Sequence, residues 1–434
     1  MTTYRAHLLL WFLALTPTVV ALWFLPPGAF ASVSTTLNAL GRLAGIAGLG
    51  LFLVAAISCV RIIGFDRWFG GLTSLWRTHH LLGAWSFLLL LAHPLLLALA
   101  NVELSLNSAV AVLLPAKGEM AIWMGWISLI LMMIFLAPSF AFFGQPDYQK
   151  WKKIHSLSGV AAVLAIAHTL WLARTIAEPW DSIIWLSLIV AALASLAYSL
   201  VFDRRTSQYD YVVSAVHHPA NNVVELSLSP TGRALTYDPG QFVYLSHFER
   251  NLAAGYGEEH PYTLSSSPRE RDLRIAIKDL GDASRAVQQI TSGAKVRVCG
   301  PYGAFFPRHT SDKELWIAGG IGITPFLGRA RHLANAGVRV DIELIYCVQD
   351  EARALFADEL ERLAQAIPGF SLSLHYYYQH GPLNGDFLRY HCPDMIARQI
   401  YICGPKPLIT LAQDLALDAG APHNKLHSEE FDLL

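Results

Sequence analysis

Residues 79–93 read HHLLGAWSFLLLLAH and residues 155–168 read HSLSGVAAVLAIAH. Each stretch is apolar between histidines, and each belongs to a run long enough to cross most of a lipid bilayer as a helix. His79 and His93 are 14 positions apart, and His155 and His168 are 13 apart. At 1.5 Å per residue either separation is roughly 20 Å, most of the hydrocarbon thickness. Each helix is therefore expected to carry one histidine near each membrane face. A single histidine in an apolar segment is usually a hydrogen-bonded core residue. Four in matched register point instead to ligands, because imidazole is the ordinary protein ligand of haem iron and ionisable residues inside spans serve a cofactor or a pathway. The two helices run parallel, so the expected pairs are His79 with His155 and His93 with His168, holding haem iron at two depths.

The helical wheel fits the first stretch better than the second. Fourteen steps return to within about 40° of the same face, whereas 13 steps end about 140° away. Tilt or a local irregularity in the second helix must absorb the difference. His80 is the rival of His79, being 13 residues from His93. His79 is favoured because it lies four residues before Gly83, as His155 lies four before Gly159.

Composition divides the 434-residue chain in two. Its hydrophobic fraction is 53% and its mean hydropathy +0.38, too high for an ordinary soluble protein. The apolar excess ends at about residue 202. A net charge of −1 and no long basic run argue against nucleic acid as a partner. Cys59, Cys299, Cys347, Cys392 and Cys403 are odd in number and lack metal-ligand spacing, so neither a disulfide framework nor a zinc site is expected.

Six spans are expected, at about 7–25, 42–63, 79–100, 121–143, 155–174 and 181–202, in contact with a lipid bilayer. An even number puts both termini on one side. Arg61, Arg67, Arg77, Lys150, Lys152, Lys153, Arg204 and Arg205 all fall on that side, and the alternate loops are poor in Lys and Arg. The positive-inside rule makes that side cytoplasmic, in a bacterial-type plasma membrane. Ala29-Phe30-Ala31 resembles a signal-peptidase site, and cleavage there would leave five spans. The apolar run before it is longer than a signal core, and its loss would reverse the charge pattern. Arg42, near the outer end of the second span, is read as snorkelling, or as pairing with a haem propionate or an anionic acceptor.

After Arg205 the pattern changes to short strand-like runs, YDYVVSAVHH, NVVELSLSP, GQFVYLSHF, LRIAIKDL and AKVRVCGPYG, which suggest an antiparallel barrel. From Lys313 strand and helix patterns alternate, as in a doubly wound parallel sheet. The expected fold is thus a multidomain membrane protein: a six-helix all-α transmembrane di-haem domain over residues 1–203, a β-barrel domain over 204–310 and an α/β nucleotide-binding domain over 311–434.

Four motifs in the second half carry chemistry. His260-Pro261-Tyr262-Thr263-Leu264-Ser265-Ser266-Ser267 offers a ring, hydroxyls and amides that suit a flavin and its phosphates. Lys278 through Gly281, Asp282, Ala283 and Ser284 combines a glycine with a helix start, where a phosphate can approach the backbone. Gly319-Gly320-Ile321-Gly322-Ile323-Thr324-Pro325 follows a strand and opens a helix, the setting of a pyrophosphate turn, although it is not G-x-G-x-x-G. Cys403-Gly404-Pro405 ends the last strand, where such sheets bind ligands, and its cysteine is expected either against a nicotinamide or in buried packing.

With these motifs in this order, nearly the whole chain resembles the ferric reductase and NADPH oxidase superfamily. The resemblance implies two b-type haems on His79, His93, His155 and His168. It further implies FAD bound by His260, Pro261, Tyr262, Thr263, Ser265, Ser266, Lys278, Gly281, Ala283 and Ser284. NADPH or NADH would be bound by Gly319, Gly320, Gly322, Thr324, Pro325, Cys403, Gly404 and Pro405. Relatives that prefer NADPH often have an arginine after the second nucleotide-domain strand; here that position is Gln349, with Arg353 as its substitute, so the coenzyme is open. Relatives also end on an aromatic residue over the flavin, for which Phe431 is the candidate. The implied activity is transmembrane electron transfer from cytoplasmic NAD(P)H through FAD and the haems to dioxygen, giving superoxide, or to a ferric chelate at the outer face. The alternatives are a subunit that passes electrons to a periplasmic or extracellular partner protein and a cytoplasmic flavin reductase merely anchored by its helices.

Overall fold

The structure is a computed structural model that describes residues 3–114, 119–139, 148–172, 179–201, 207–306 and 313–430. It divides into two compact units, residues 1–62 with 74–204, and residues 63–73 with 205–434.

The first unit is all helix: α1 (Thr3–Trp23), α2 (Val33–Ser58), α3 (Leu72–Ala100), α4 (Leu106–Leu113), α5 (Met120–Leu136), α6 (Tyr148–His155), α7 (Leu157–Leu172) and α8 (Pro179–Val201). Among the described residues, six stretches of it are long and apolar enough to cross a membrane, in line with the hydropathy pattern. The second begins at Val33 rather than near residue 42, because Ser32 and Thr35 form a capping box that starts α2 early. Arg42 consequently lies well inside α2, its side chain exposed, instead of near the helix end. Helix α2 packs against α1 and α8, and α5 against α7. Glycines on α2 permit the close approach: a Cβ at Gly50 would lie 2.2 Å from the Ala14 carbonyl oxygen of α1. The fifth span is broken at Ser156, between α6 and α7. This break supplies the irregularity that the 13-residue spacing demands. Helix α4, with Ser105 as its cap, occupies the stretch between the third and fourth spans, where a loop was expected.

The second unit begins with an antiparallel sheet of β1 (Gln208–Ala220), β2 (Val223–Pro230), β3 (Phe242–His247), β4 (His260–Thr263), β5 (Leu273–Lys278) and β6 (Lys295–Tyr302), in the order β4-β3-β6-β1-β2-β5. A bridge between Leu264 and Ile275 joins its two edges. Inward residues such as Val213, Leu226, Val243, Ile275 and Val298 form its core. A parallel sheet follows, made of β7 (Lys313–Gly319), β8 (Asp341–Val348), β9 (Phe370–Tyr376), β10 (Gln399–Gly404) and β11 (Leu426–Glu430), in the order β11-β10-β7-β8-β9. Its strands bury alternate residues on opposite faces. Trp316, Leu344 and Tyr401 pack with Phe326 and Leu360 of two helices, whereas Leu315, Ile317 and Ile400 pack with Leu388 and Ile409 of two others. This is the doubly wound arrangement expected from the alternating pattern. The chain reverses direction across the sheet between β7 and β10, which opens a crevice at their carboxyl ends.

Segment 63–73, which joins α2 to α3 in sequence, belongs to this second unit. The Gly303 N–H donates to the Asp66 carboxylate at 2.8 Å, and Arg67 pairs with Asp238 at 3.1 Å. Within the same unit, Arg331 ties the barrel to the nucleotide lobe. Its guanidinium, 4% exposed, donates to Glu225 at 2.9 Å, to the Ser265 carbonyl at 2.8 Å and twice to Glu359 at 2.7 Å. Removing one partner of a buried charge network strands the rest, at about 3–5 kcal/mol. Arg331→Met is therefore expected to lower the thermal unfolding midpoint of the full chain in detergent, and an unchanged midpoint would contradict this reading of the cluster.

Candidate functional site

In the membrane-type unit the four histidines form two facing pairs. The rings of His79 on α3 and His155 at the end of α6 are 6.2 Å apart between centroids. Those of His93 on α3 and His168 on α7 are 6.5 Å apart. Two imidazoles bound to opposite sides of one metal, each by a bond of about 2 Å, place their ring centres about 6.3 Å apart. Both pairs fit that requirement. His79 Nδ1 donates to the Ala55 carbonyl at 2.8 Å, His93 Nδ1 to the Gly41 carbonyl at 2.7 Å and His168 Nδ1 to the Ala121 carbonyl at 2.7 Å. Since a carbonyl can only accept, the proton sits on Nδ1 and Nε2 keeps its lone pair, the form in which a histidine binds a metal. His155 differs. Its Nδ1 is buried without a partner, and its ring is held by stacking on Trp151 and by the edge of Phe135.

Two glycines that sequence reading missed shape these pairs. A Cβ at Gly45 would lie 2.8 Å from the His93 ring, and one at Gly125 would lie 2.8 Å from the His168 ring. His80 is exposed and its ring is 5.7 Å from that of His79, so it is His79 that faces His155. This donor set, two imidazole pairs with fixed tautomers among apolar side chains, fits two haems ligated on both faces.

In the second unit, β4 and the turn after β5 frame a cavity of about 430 Å³ lined by His260, Pro261, Tyr262, Thr263, Lys278 and Gly281 through Ser284. Ser284 Oγ accepts from the N–H groups of Leu280 and Gly281 at 2.8 and 2.9 Å, which fixes the turn where the helix Asp282–Val287 starts. Ser265 and Ser266 are not part of the lining. They are fully buried, with Ser265 Oγ donating to Glu225 at 2.9 Å and Ser266 Oγ bonded to the Tyr237 hydroxyl at 2.7 Å. Their hydroxyls hold the barrel together behind the site. Phe431 lies outside the described residues. Glu429, which sequence reading passed over, lines the cavity instead. Its Oε2 is buried without a hydrogen-bond partner. Burial, with the negative charge of Asp66, pushes its carboxyl up from 4.5 to about 8.

A second cavity, of about 850 Å³, lies at the carboxyl ends of the parallel strands and is lined by Gly319, Gly320, Gly322, Gly404, Pro405 and Gln349 among others. Gly322 is required by close approach, since a Cβ there would sit 2.4 Å from the Cys403 carbonyl oxygen. Cys403 is fully buried and does not reach the cavity; burial drives its thiol well above the usual range. Pro325 is likewise buried, in the first turn of the helix Thr324–Ala336. Thr324 lines the first cavity rather than the second, and Lys278, Ile321 and Glu430 line both, so the two cavities adjoin.

Comparison with known proteins places these parts in order. Residues 44–166 match the family described as ferric reductase like transmembrane component, residues 209–316 an FAD-binding domain and residues 316–414 an oxidoreductase NAD-binding domain. The chain is 30% identical over 228 residues to the stachydrine N-demethylase reductase subunit of Rhizobium meliloti (strain 1021), covering 49% of this chain and 63% of that protein. It is 31% identical over 212 residues to the glycine betaine monooxygenase reductase subunit of Pseudomonas aeruginosa (strain UCBPP-PA14), covering 45% of this chain and 56% of that one. The chain thus spans less than two thirds of the length of these curated relatives. A crystal structure of phthalate dioxygenase reductase is 21% identical, with a TM-score of 0.44 over 52% of this chain and 69% of that one.

Glu429 yields a prediction of known sign. A carboxyl raised from 4.5 to about 8 on folding binds its proton more tightly in the folded state, so its effect on stability is absent below about 4.5 and grows unfavourable as pH rises to about 8. Thermal unfolding midpoints should therefore fall across that window, and Glu429→Gln should flatten the fall. Equal slopes in the two proteins would show that the carboxyl is not held protonated.

Proposed function

We propose that this chain, which has the ferric reductase and NADPH oxidase type of architecture, takes electrons from NAD(P)H in its soluble unit and delivers them across a membrane to dioxygen or a ferric chelate. The observation that carries the reading is the pair of facing imidazole pairs, His79 with His155 and His93 with His168, at two levels of one helix bundle. When bound, FAD supplies the change from two-electron hydride to single electrons, and b-type haems supply one-electron carriers through lipid.

The chain's own residues set the conditions for this. Tyr262, Thr263 and Lys278 would hold FAD, with the turn Gly281–Ser284 at its phosphates. Gly319 through Gly322 and Gly404-Pro405 would hold the coenzyme at the crevice where the sheet changes direction. The adjoining cavities would bring a nicotinamide to a flavin while leaving Cys403 buried behind the turn. The carbonyls of Ala55, Gly41 and Ala121 orient three of the four imidazoles and keep their Nε2 atoms bare. His79 with His155 and His93 with His168 would each hold one haem, which would supply one-electron transfer at that level, and no side-chain nucleophile or base would be needed.

The charge pattern supports one sidedness. Segment 63–73 groups with the second unit, which supports the expectation that the α2–α3 connection shares a side with residues 205–434. Arg61 and Arg67 belong to that connection, Arg77 to the start of α3 and Lys150, Lys152 and Lys153 to α6, and by the positive-inside rule this side would be cytoplasmic, with both termini there. An interior-negative potential would favour outward electron movement by about 2.3 kcal/mol per 100 mV. A second reading, delivery to a partner protein, is favoured by two of the similar proteins, both of them reductase subunits.

Haem counting tests the proposal. The purified full chain should hold two haems. His79→Ala or His155→Ala should each remove one, His93→Ala or His168→Ala the other, and His80→Ala neither. Four single alanine variants with undiminished Soret absorbance would overturn the assignment.

A further inference from the structure

The larger cavity runs from the turn after β7 to the carboxyl ends of β8 and β9, where Gln349, His375, Tyr377 and Tyr378 line it. We propose that this end receives an adenosine without a 2′-phosphate, so that the electron donor is NADH rather than NADPH. The inference rests on the reading that NAD(P)H is the donor. With a pyrophosphate at Gly319–Gly322 and the nicotinamide toward the adjoining flavin cavity, the adenosine extends the other way, over β8 and β9.

A 2′-phosphate needs a cation within reach. Among the described residues, the lysines and arginines that line the cavity are Lys278 and Lys406. Lys406 follows β10, three strand spacings from β9 in the sheet order, or about 14 Å. It stands 3.8 Å from the Glu430 carboxylate. Lys278 ends β5 of the barrel and faces the flavin cavity as well. Arg353, the sequence candidate for a phosphate partner, forms an ion pair with Asp350 in its own turn and lies 5.9 Å from the Tyr378 ring centre. Asp350 also caps that turn, accepting the Arg353 N–H at 3.2 Å. With Glu351 beside it, the turn Asp350–Arg353 carries two acids and one base.

His375 supplies an independent sign. It is 2% exposed, and its Nε2–H donates to the Gly381 carbonyl at 3.0 Å. Its Nδ1 is buried without a partner. Burial lowers its proton affinity, so the ring stays neutral and Nδ1 is a bare acceptor. Such an atom calls for a hydroxyl donor, which the 2′ position of an unphosphorylated ribose supplies and a phosphate dianion in its place does not. Tyr377 and Tyr378 add aromatic surface for the base.

The test compares NADH with NADPH as kcat/KM of the full-length protein, and 5′-AMP with adenosine 2′,5′-bisphosphate by calorimetry, a readout independent of turnover. NADH is expected to be preferred by about tenfold or more, with 5′-AMP the tighter nucleotide. Gln349→Arg combined with Asp350→Asn keeps the cap, frees Arg353 and should move both ratios toward the phosphorylated ligand. An NADPH preference, or equal use, in the unmodified protein overturns the inference while leaving the electron-transfer reading intact. If neither coenzyme reduces the flavin, the donor assignment itself fails and the inference with it. The comparison in the unmodified protein decides the matter even if the variant does not fold.

Discussion

Hydrogen bonds from His79, His93 and His168 to the carbonyls of Ala55, Gly41 and Ala121 join one helix to the next and decide which ring nitrogen stays bare. The Gly41 and Ala121 carbonyls each have a second lone pair beyond a helical bond, so the imidazole is fixed without breaking the helix that holds it, while the Ala55 carbonyl, in the last turn of α2, also accepts from Ser58 Oγ at 2.8 Å. The same constraint explains the small residues. Gly45 and Gly125 leave room for the imidazoles of His93 and His168, which a Cβ would strike. Bundle geometry, tautomer and ring separation thus follow from one set of contacts, and the proposed electron path depends on all three.

The second unit obeys a different constraint. A parallel sheet offers its loops at the carboxyl ends of its strands, and the change of direction between β7 and β10 leaves a gap there. Gly322 lies so close to the end of β10 that no side chain fits, which brings the backbone of the turn to the cavity wall. The barrel faces the same region through β4 and Lys278, so the cavities adjoin without any shared catalytic side chain. Arg331 keeps barrel and nucleotide lobe in this relation, and it does so through the backbone of Ser265, one residue of the flavin-type motif.

Much of this was legible from periodicity and spacing. Histidines bracketing two apolar runs gave the pairs, and the 13-residue mismatch gave the irregularity that appears at Ser156. Strand runs broken by Gly, Pro and Asn gave the barrel, and alternating strand and helix patterns gave the parallel sheet. Tertiary contact determined what sequence could not express. Ser265 and Ser266 look like ligand hydroxyls in the motif, yet Glu225 and Tyr237, distant in sequence, consume them. Cys403 looks like a cavity residue until the strand beside it buries it. The membership of segment 63–73 in the soluble unit, and the burial of Glu429, depend on packing between parts of the chain more than 200 residues apart.

Directional electron transfer is the most direct test of the central claim. Full-length protein would be reconstituted into sealed vesicles, with the reduced coenzyme supplied only on the side of the soluble unit and an impermeant one-electron acceptor trapped on the other. Acceptor reduction is expected with both imidazole pairs intact and is expected to be lost when either pair is removed. Coenzyme oxidation that reduces acceptors only on its own side, at the same rate with or without the four histidines, would contradict it.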